Sequence, residues 1–390
     1  MRLLLAVALA FAGLATPGFA QDEGEERVSH GCKRCNHRGV VACKKHDEGE
    51  LAEEAEVQFC AVAARCEDCA GTFMVDCGFC IGGPDSLDLE RRRGRMEGIL
   101  KASIAPEKLL ERELAWIRTA HFDLVVDVDY LKNGTKKLDA HEFLHRLARE
   151  AEAAAAMLDE HLKAKPHNYG RASIYFWEDL KDHREVNREL LGTNTDTGMK
   201  LYGPKPKASS WTDSKGLEGK ALNVAANGVH IGIHLLLSSA FRGEWIGDKK
   251  AGWFDVGAAH WYEEQIFKRT ATYCVDEANA DLNYKNGQWR SAVRADLSKN
   301  KDSILPELTR ELSGTLWEEE HALSWSLYDW LVTVHPDAVK PFLMGFKDGK
   351  EMRELCRKEL DMTLRQVEDA WRAWVAETYP TRDPKVRKRL

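Results

Sequence analysis

Residues 222–241 read LNVAANGVHIGIHLLLSSAF, and the fold turns on how that run is read. Its polar positions, Asn223, Asn227, His230, His234 and Ser238, recur at spacings of 4, 3, 4 and 4, the repeat of one helical face. The other positions are apolar or small. Such a helix is buried on most sides and turns a thin polar strip toward a cleft, with two histidines one turn apart. The plainer alternative is a half-exposed amphipathic helix whose outer face happens to carry both histidines.

The flanking sequence extends the pattern. Upstream, HFDLVVD (121–127) and ASIYFW (172–177) read as strands around an Ala- and Leu-rich helix over 139–162. Downstream come GWFDVGAAHWYEE (252–264) and HALSWSLYDW (321–330), and 305–378 is helical almost throughout. The last helix opens on the capping signature Thr363-Leu364-Arg365-Gln366. This is an α+β chain: a short mixed sheet with helices, then a helical C-terminal half. Residues 84–118 read as a helical linker, in which Arg91, Arg92, Arg93 and Arg95 form a solvated face.

The one literal H-E-x-x-H is His141-Glu142-Phe143-Leu144-His145, the spacing of a zinc peptidase helix. The apolar stripe of its helix runs through Phe143, Leu144, Leu147, Ala151, Ala154, Leu158 and Leu162. Both histidines fall more than about 90° from the centre of that stripe, so they are expected to face solvent. No third ligand follows in REAEAAAAMLDEHL (149–162).

Taken in order, the elements across 115–380 resemble the peptidase MA-like (gluzincin) domains of exported bacterial proteins. Those read H-E-x-x-H, then W-(L/F)-x-E-G-x-A-x-(Y/W), then a Ser-Trp helix and further helices. The resemblance implies a domain over 119–380 whose zinc pair is His230 and His234, with Trp253, His260, Trp261 and Tyr262 near the cleft. It also places the general-base Glu on Ile231 and the third-ligand Glu on Val256. Isoleucine cannot take a proton from zinc-bound water, and valine cannot coordinate zinc. No residue is assigned a catalytic role; His260, Asp255 and Glu263 are the possible substitutes, and a third zinc in this cleft is not expected. The rival is an active zinc metallopeptidase with an atypical site at His230 and His234.

Eight of the ten cysteines fall between 32 and 80. Cys32-x2-Cys35 and Cys43-x2-His46 are seven residues apart, as are Cys66-x2-Cys69 and Cys77-x2-Cys80. Four such knuckles supply eight ligands, enough for two structural zinc ions in a module over 27–83. A disulfide network, favoured by export, is the competing reading, and a redox-active CxxC a third. Cys60, Cys274 and Cys356 stand outside the pattern. The segments CKRCNHRG (32–39) and CEDCAG (66–71) resemble the cysteine-rich zinc domain of DnaJ-type chaperones. That resemblance implies that the first knuckle pairs with the fourth and the second with the third. Seven extended residues, spanning about 20 Å, lean the same way.

Arg2, the apolar run from Leu3 to Leu14 and Gly18-Phe19-Ala20 make a secretory signal peptide over 1–20, so export is expected, with no membrane span after cleavage. Residues 381–390 are a basic tail. At 390 residues and 44% apolar, the chain is long enough for a globular core and two domains. A net charge of −7 excludes a globally basic nucleic-acid binder. The functional expectation is an exported, non-catalytic protein- or peptide-binding scaffold with two structural zinc ions. A thiol-dependent chaperone or oxidoreductase is the second alternative.

Overall fold

The computed structural model describes residues 32–44, 57–79, 83–212, 220–270, 272–273 and 284–382. The expected signal peptide over 1–20 and most of the basic tail lie outside them, as do His46, Cys80 and Cys274.

The N-terminal elements are β1 (Val40–Ala42), β2 (Val57–Cys60), α1 (Ala61–Ala64), β3 (Met74–Asp76), α2 (Ser86–Ala102) and α3 (Ala105–Leu110). There follow β4 (Trp116–Thr119), β5 (Phe122–Asp127), the hairpin of β6 (Leu131–Asn133) and β7 (Lys136–Leu138), and α4 (Ala140–Leu162). Next are β8 (Ala172–Trp177), α5 (Leu180–Val186), β9 (Met199–Leu201) and β10 (Lys207–Trp211). The helical half comprises α6 (Ala221–Ser239), α7 (Gly252–Phe267), α8 (Trp289–Lys299) and α9 (Leu305–Leu308). It ends with α10 (Glu318–Val334), α11 (Val339–Lys347), α12 (Met352–Leu360) and α13 (Leu364–Thr378). The chain is therefore α+β, as its periodicities imply.

The main sheet has six strands in the order β2-β4-β5-β8-β10-β9. β8 runs parallel to both β5 and β10, and the other pairs are antiparallel. Alternation of side chains across the pleat gives the sheet two buried faces. Phe122, Leu124, Val126, Ile174 and Phe176 pack with α4 and α6. Trp116, Val125, Tyr175 and Trp177 pack on the other side with Ile104, Leu114, Val186 and Leu191. The linker is only partly helical: it breaks after α2 and ends in β4. Its arginines behave as read, with Arg92 paired to Asp88 and Arg93 to Asp76 on an exposed helix. The cysteine-rich span is not closed on itself, because its β2 is the edge strand of the main sheet.

α4 starts on a capping box: the Asp139 side chain accepts from the Glu142 N–H, and the Glu142 side chain reaches back to Asp139. α6 is long and apolar enough to cross a membrane, yet 83% of that window is buried within the protein. Gly228 and Gly232 let it come close: a Cβ at Gly228 would lie 2.7 Å from Leu147 Cδ1, and one at Gly232 3.1 Å from Phe122. At its C-terminus the buried Lys347 donates to the carbonyls of Ser238, Ala240 and Arg242 at 2.7–3.0 Å. A cation there suits the negative end of the helix dipole.

Candidate metal sites

β1 and β3 pair antiparallel, Val40 opposite Asp76 and Ala42 opposite Met74. That ladder brings the cysteines to its two ends. Cys32, Cys35 and Cys77 have their sulfurs within 4.8 Å of one another, and so do Cys43, Cys66 and Cys69. Cys77 comes from the fourth knuckle and Cys43 from the second, so among the described ligands the pairing is first with fourth and second with third. The knuckle turns need left-handed backbone: Asn36, His37 and Gly39 have φ of 47°, 66° and 83°. At Gly39 a Cβ would lie 2.4 Å from the Gly83 Cα, so only glycine fits. The described cysteines carry no disulfide. Burial pushes the Cys69 thiol up to about 12, so a thiolate at Cys69 calls for a cation beside it. Each group can hold a metal ion, and three cysteines plus one further ligand is a structural zinc set.

α6 and α7 form a second cluster. His230 and His234 lie one turn apart with their Nε2 atoms 3.3 Å from each other. Their Nδ1 atoms face carboxylates: His230 Nδ1 is 3.1 Å from Glu263 Oε2, and His234 Nδ1 is 3.0 Å from Asp255 Oδ1. Glu263 Oε1 accepts from the Thr272 N–H and hydroxyl. Asp255 Oδ2 accepts from Trp245 Nε1 and Ser313 Oγ, both at 2.9 Å. Burial alone would push both acids up, but the histidines beside them outweigh it and hold both below their ordinary values. His260 Nε2 lies 3.0 Å from His321 Nδ1, and His230, His260 and Glu263 bring ligand atoms within 4.8 Å.

The expected cleft is not there among the described residues. His230, His234, Asp255, His260, Glu263 and His321 are all 0% exposed. Trp253, Trp261 and Tyr262 are buried too. The polar strip of α6 packs against α7, which α10 covers in turn. Contact between α7 and α10 is close enough that a Cβ at Gly257 would lie 2.4 Å from the Ser324 carbonyl. Only Asn223 and Asn227 of the strip reach the surface. Ile231 and Val256 are 4% and 0% exposed and lie in the apolar core.

The solvent-facing assignment of His141 and His145 also needs correction. His145 is 4% exposed and His141 half-buried. Their Nε2 atoms are 3.1 Å apart, and Cys60 brings its sulfur within 4.8 Å of both. Cys60 ends β2, whose place at the edge of the sheet no helical periodicity can show. The only sequence signal for this grouping was the i, i+4 histidine pair itself. No known family model and no characterised protein matches the chain.

Proposed function

We propose that this is an exported protein with a peptidase MA-like fold that does not hydrolyse peptides and acts as a protein- or peptide-binding scaffold. Two zinc ions would hold its cysteine-rich part. Cys32, Cys35 and Cys77 would take one, Cys43, Cys66 and Cys69 the other, with Cys80 and His46 as fourth ligands. Zinc is the ion this thiolate-rich set selects, and it supplies folding energy rather than chemistry.

One observation carries the reading: among the described residues, the acids that pair with His230 and His234 do so at Nδ1, Glu263 at 3.1 Å and Asp255 at 3.0 Å. Ile231 and Val256 stand where the resemblance puts the base and the third ligand. The candidate substitutes, Asp255 and Glu263, sit on the Nδ1 side. Acids there orient the rings; they do not take a proton from a water on the Nε2 side. Full burial of the cluster also denies a substrate the open position that a catalytic zinc needs. The same Nδ1 carboxylates are what a metal-ligating histidine pair ordinarily has, and this keeps the metallopeptidase as second reading. The thiol-redox alternative has less support, since the cysteines cluster in threes and most are buried.

A binding partner would then engage the outer surface. A cavity of about 670 Å³ between α9, α12 and α13 is lined by Lys249, Arg310, Arg353, Arg357 and Arg365, with Met352 and Leu364 among them. That mixture fits an acidic peptide with apolar side chains.

The test is hydrolysis of a casein-type substrate, with metal content per chain, by protein purified without chelator and by its His230→Ala/His234→Ala variant. We expect no cleavage by either and equal metal content. Chelator-sensitive cleavage lost in the variant would overturn the scaffold reading.

A further inference from the structure

We propose a third metal site, formed by Cys60, His141 and His145, that takes a zinc-class divalent cation and staples the edge strand β2 to α4. The two imidazoles come from successive turns of one helix, and their Nε2 atoms already stand 3.1 Å apart. Two nitrogens bound at 2.0–2.1 Å to one tetrahedral ion lie about 3.3 Å apart, so the rings need almost no movement. Cys60 supplies the anionic ligand. It sits opposite Ile117 in the β2–β4 ladder, which aims its side chain to the α4 face of the sheet while Phe59 goes to the other. A thiolate with two imidazoles is a soft-to-borderline donor set suited to zinc.

Burial is graded across the site. Cys60 is 3% and His145 4% exposed, whereas His141 is half-buried. His141 is thus the ligand nearest solvent, and an ion would enter from its side. Glu142, the residue that makes the motif look catalytic, turns the other way. Its carboxylate lies 3.4 Å from the Asp139 N–H and 2.8 Å from Lys136 Nζ, so it caps the helix. Glu142 is thus held in the cap rather than offered to the ion as a base, and the ion's role is read as structural. Its effect is local: six residues after Cys60 the chain reaches Cys66, so an ion here anchors the root of the third knuckle to the main fold.

Full-length protein purified without chelator should be compared with its Cys60→Ser and His141→Ala variants for zinc per chain, with melting curves recorded for each. Because Cys60 is buried, Cys60→Ser alone could lose metal by unfolding. His141→Ala, at a half-exposed position, keeps the fold and decides the matter. The expected result is one zinc equivalent fewer in both variants than in the wild type. Equal zinc in wild type and His141→Ala would overturn the site. A second measurement is alkylation of Cys60, followed by peptide mapping. Zinc should slow it at least about tenfold in the wild type and not in His141→Ala, and a rate indifferent to zinc in the wild type would overturn the proposal equally.

Discussion

α4 and α6 each carry two histidines at i, i+4, and each pair converges to about the same Nε2 separation, 3.1 and 3.3 Å. Their surroundings among the described residues differ. The α4 pair has the textual signature of a zinc peptidase, lies at a sheet edge and meets a cysteine. The α6 pair lacks the signature, lies in the centre of the molecule and is backed by two carboxylates on the Nδ1 side. Helical spacing sets the separation within a pair. The third partner, and whether water can reach it, come from whatever strand or helix packs alongside.

The comparison can be broken most directly at Glu263. Glu263→Ala removes the acid between His230 and His260 at a fully buried site, and unfolding in urea should show a loss of about 3–5 kcal/mol. His141→Ala on metal-stripped protein should change the same measurement by less than about 0.5 kcal/mol. Comparable losses from the two would mean that α4 and α6 do not differ as described.

Ile231→Glu tests whether the α6 pair is sealed or merely lacks its base. A carboxylate at a position 4% exposed, with apolar neighbours, should cost about 2–4 kcal/mol and yield no hydrolysis. A stable variant that cleaves peptides in a chelator-sensitive way would show that the cluster is accessible after all. A smaller effect belongs to the start of α4: Asp139→Ala removes the cap on the Glu142 N–H and should cost about 1 kcal/mol.

The smallest effect is a pH dependence that α4 should show through His121. His121 Nδ1 lies 2.7 Å from Glu152 Oε2, and its Nε2 is 3.3 Å from Asp159 Oδ2. Burial pulls the imidazolium down, but the two carboxylates more than offset it, so His121 is held above its ordinary 6.5. Its contribution is complete below that unfolded value and is lost as pH rises through the higher folded one. Glu152 runs the other way. Burial pushes it up, but the His121 ring, the Thr119 side chain and the His121 backbone N–H outweigh that, and it lies below its ordinary 4.5. Its contribution is present above that value and lost as pH falls through the folded one. Melting temperatures on both sides of neutrality should fall at each limb, and His121→Asn should flatten the alkaline limb.

Much of the fold was legible because it is local. β5, β8, α4, α6 and α7 lie within three residues of where period-two and helical patterns put them, and the Thr363 cap is in place. The short strands β2, β9 and β10 were not seen, since three to five residues carry too little periodicity and owe their pairing to the sheet. The cysteine groups were legible as groups able to hold a metal because a two-residue gap fixes which side chains converge. The misreadings share one cause. A single-helix projection tells which way His141, His145 and the α6 strip point, and says nothing of what arrives there.

The chain by itself determined which residues form pairs: the histidines one turn apart, the cysteines of each knuckle, the apolar stripes and the caps. These depend on bonds and dihedrals within a few residues. Only the tertiary structure decided that Cys60 meets His141 and His145, that Asp255 and Glu263 stand behind the rings of His234 and His230, and that the α6 strip is closed to water. Those outcomes depend on strand order and on helix packing between residues far apart in sequence. There, burial of apolar area selects the arrangement, and each polar group takes whichever partner that arrangement provides.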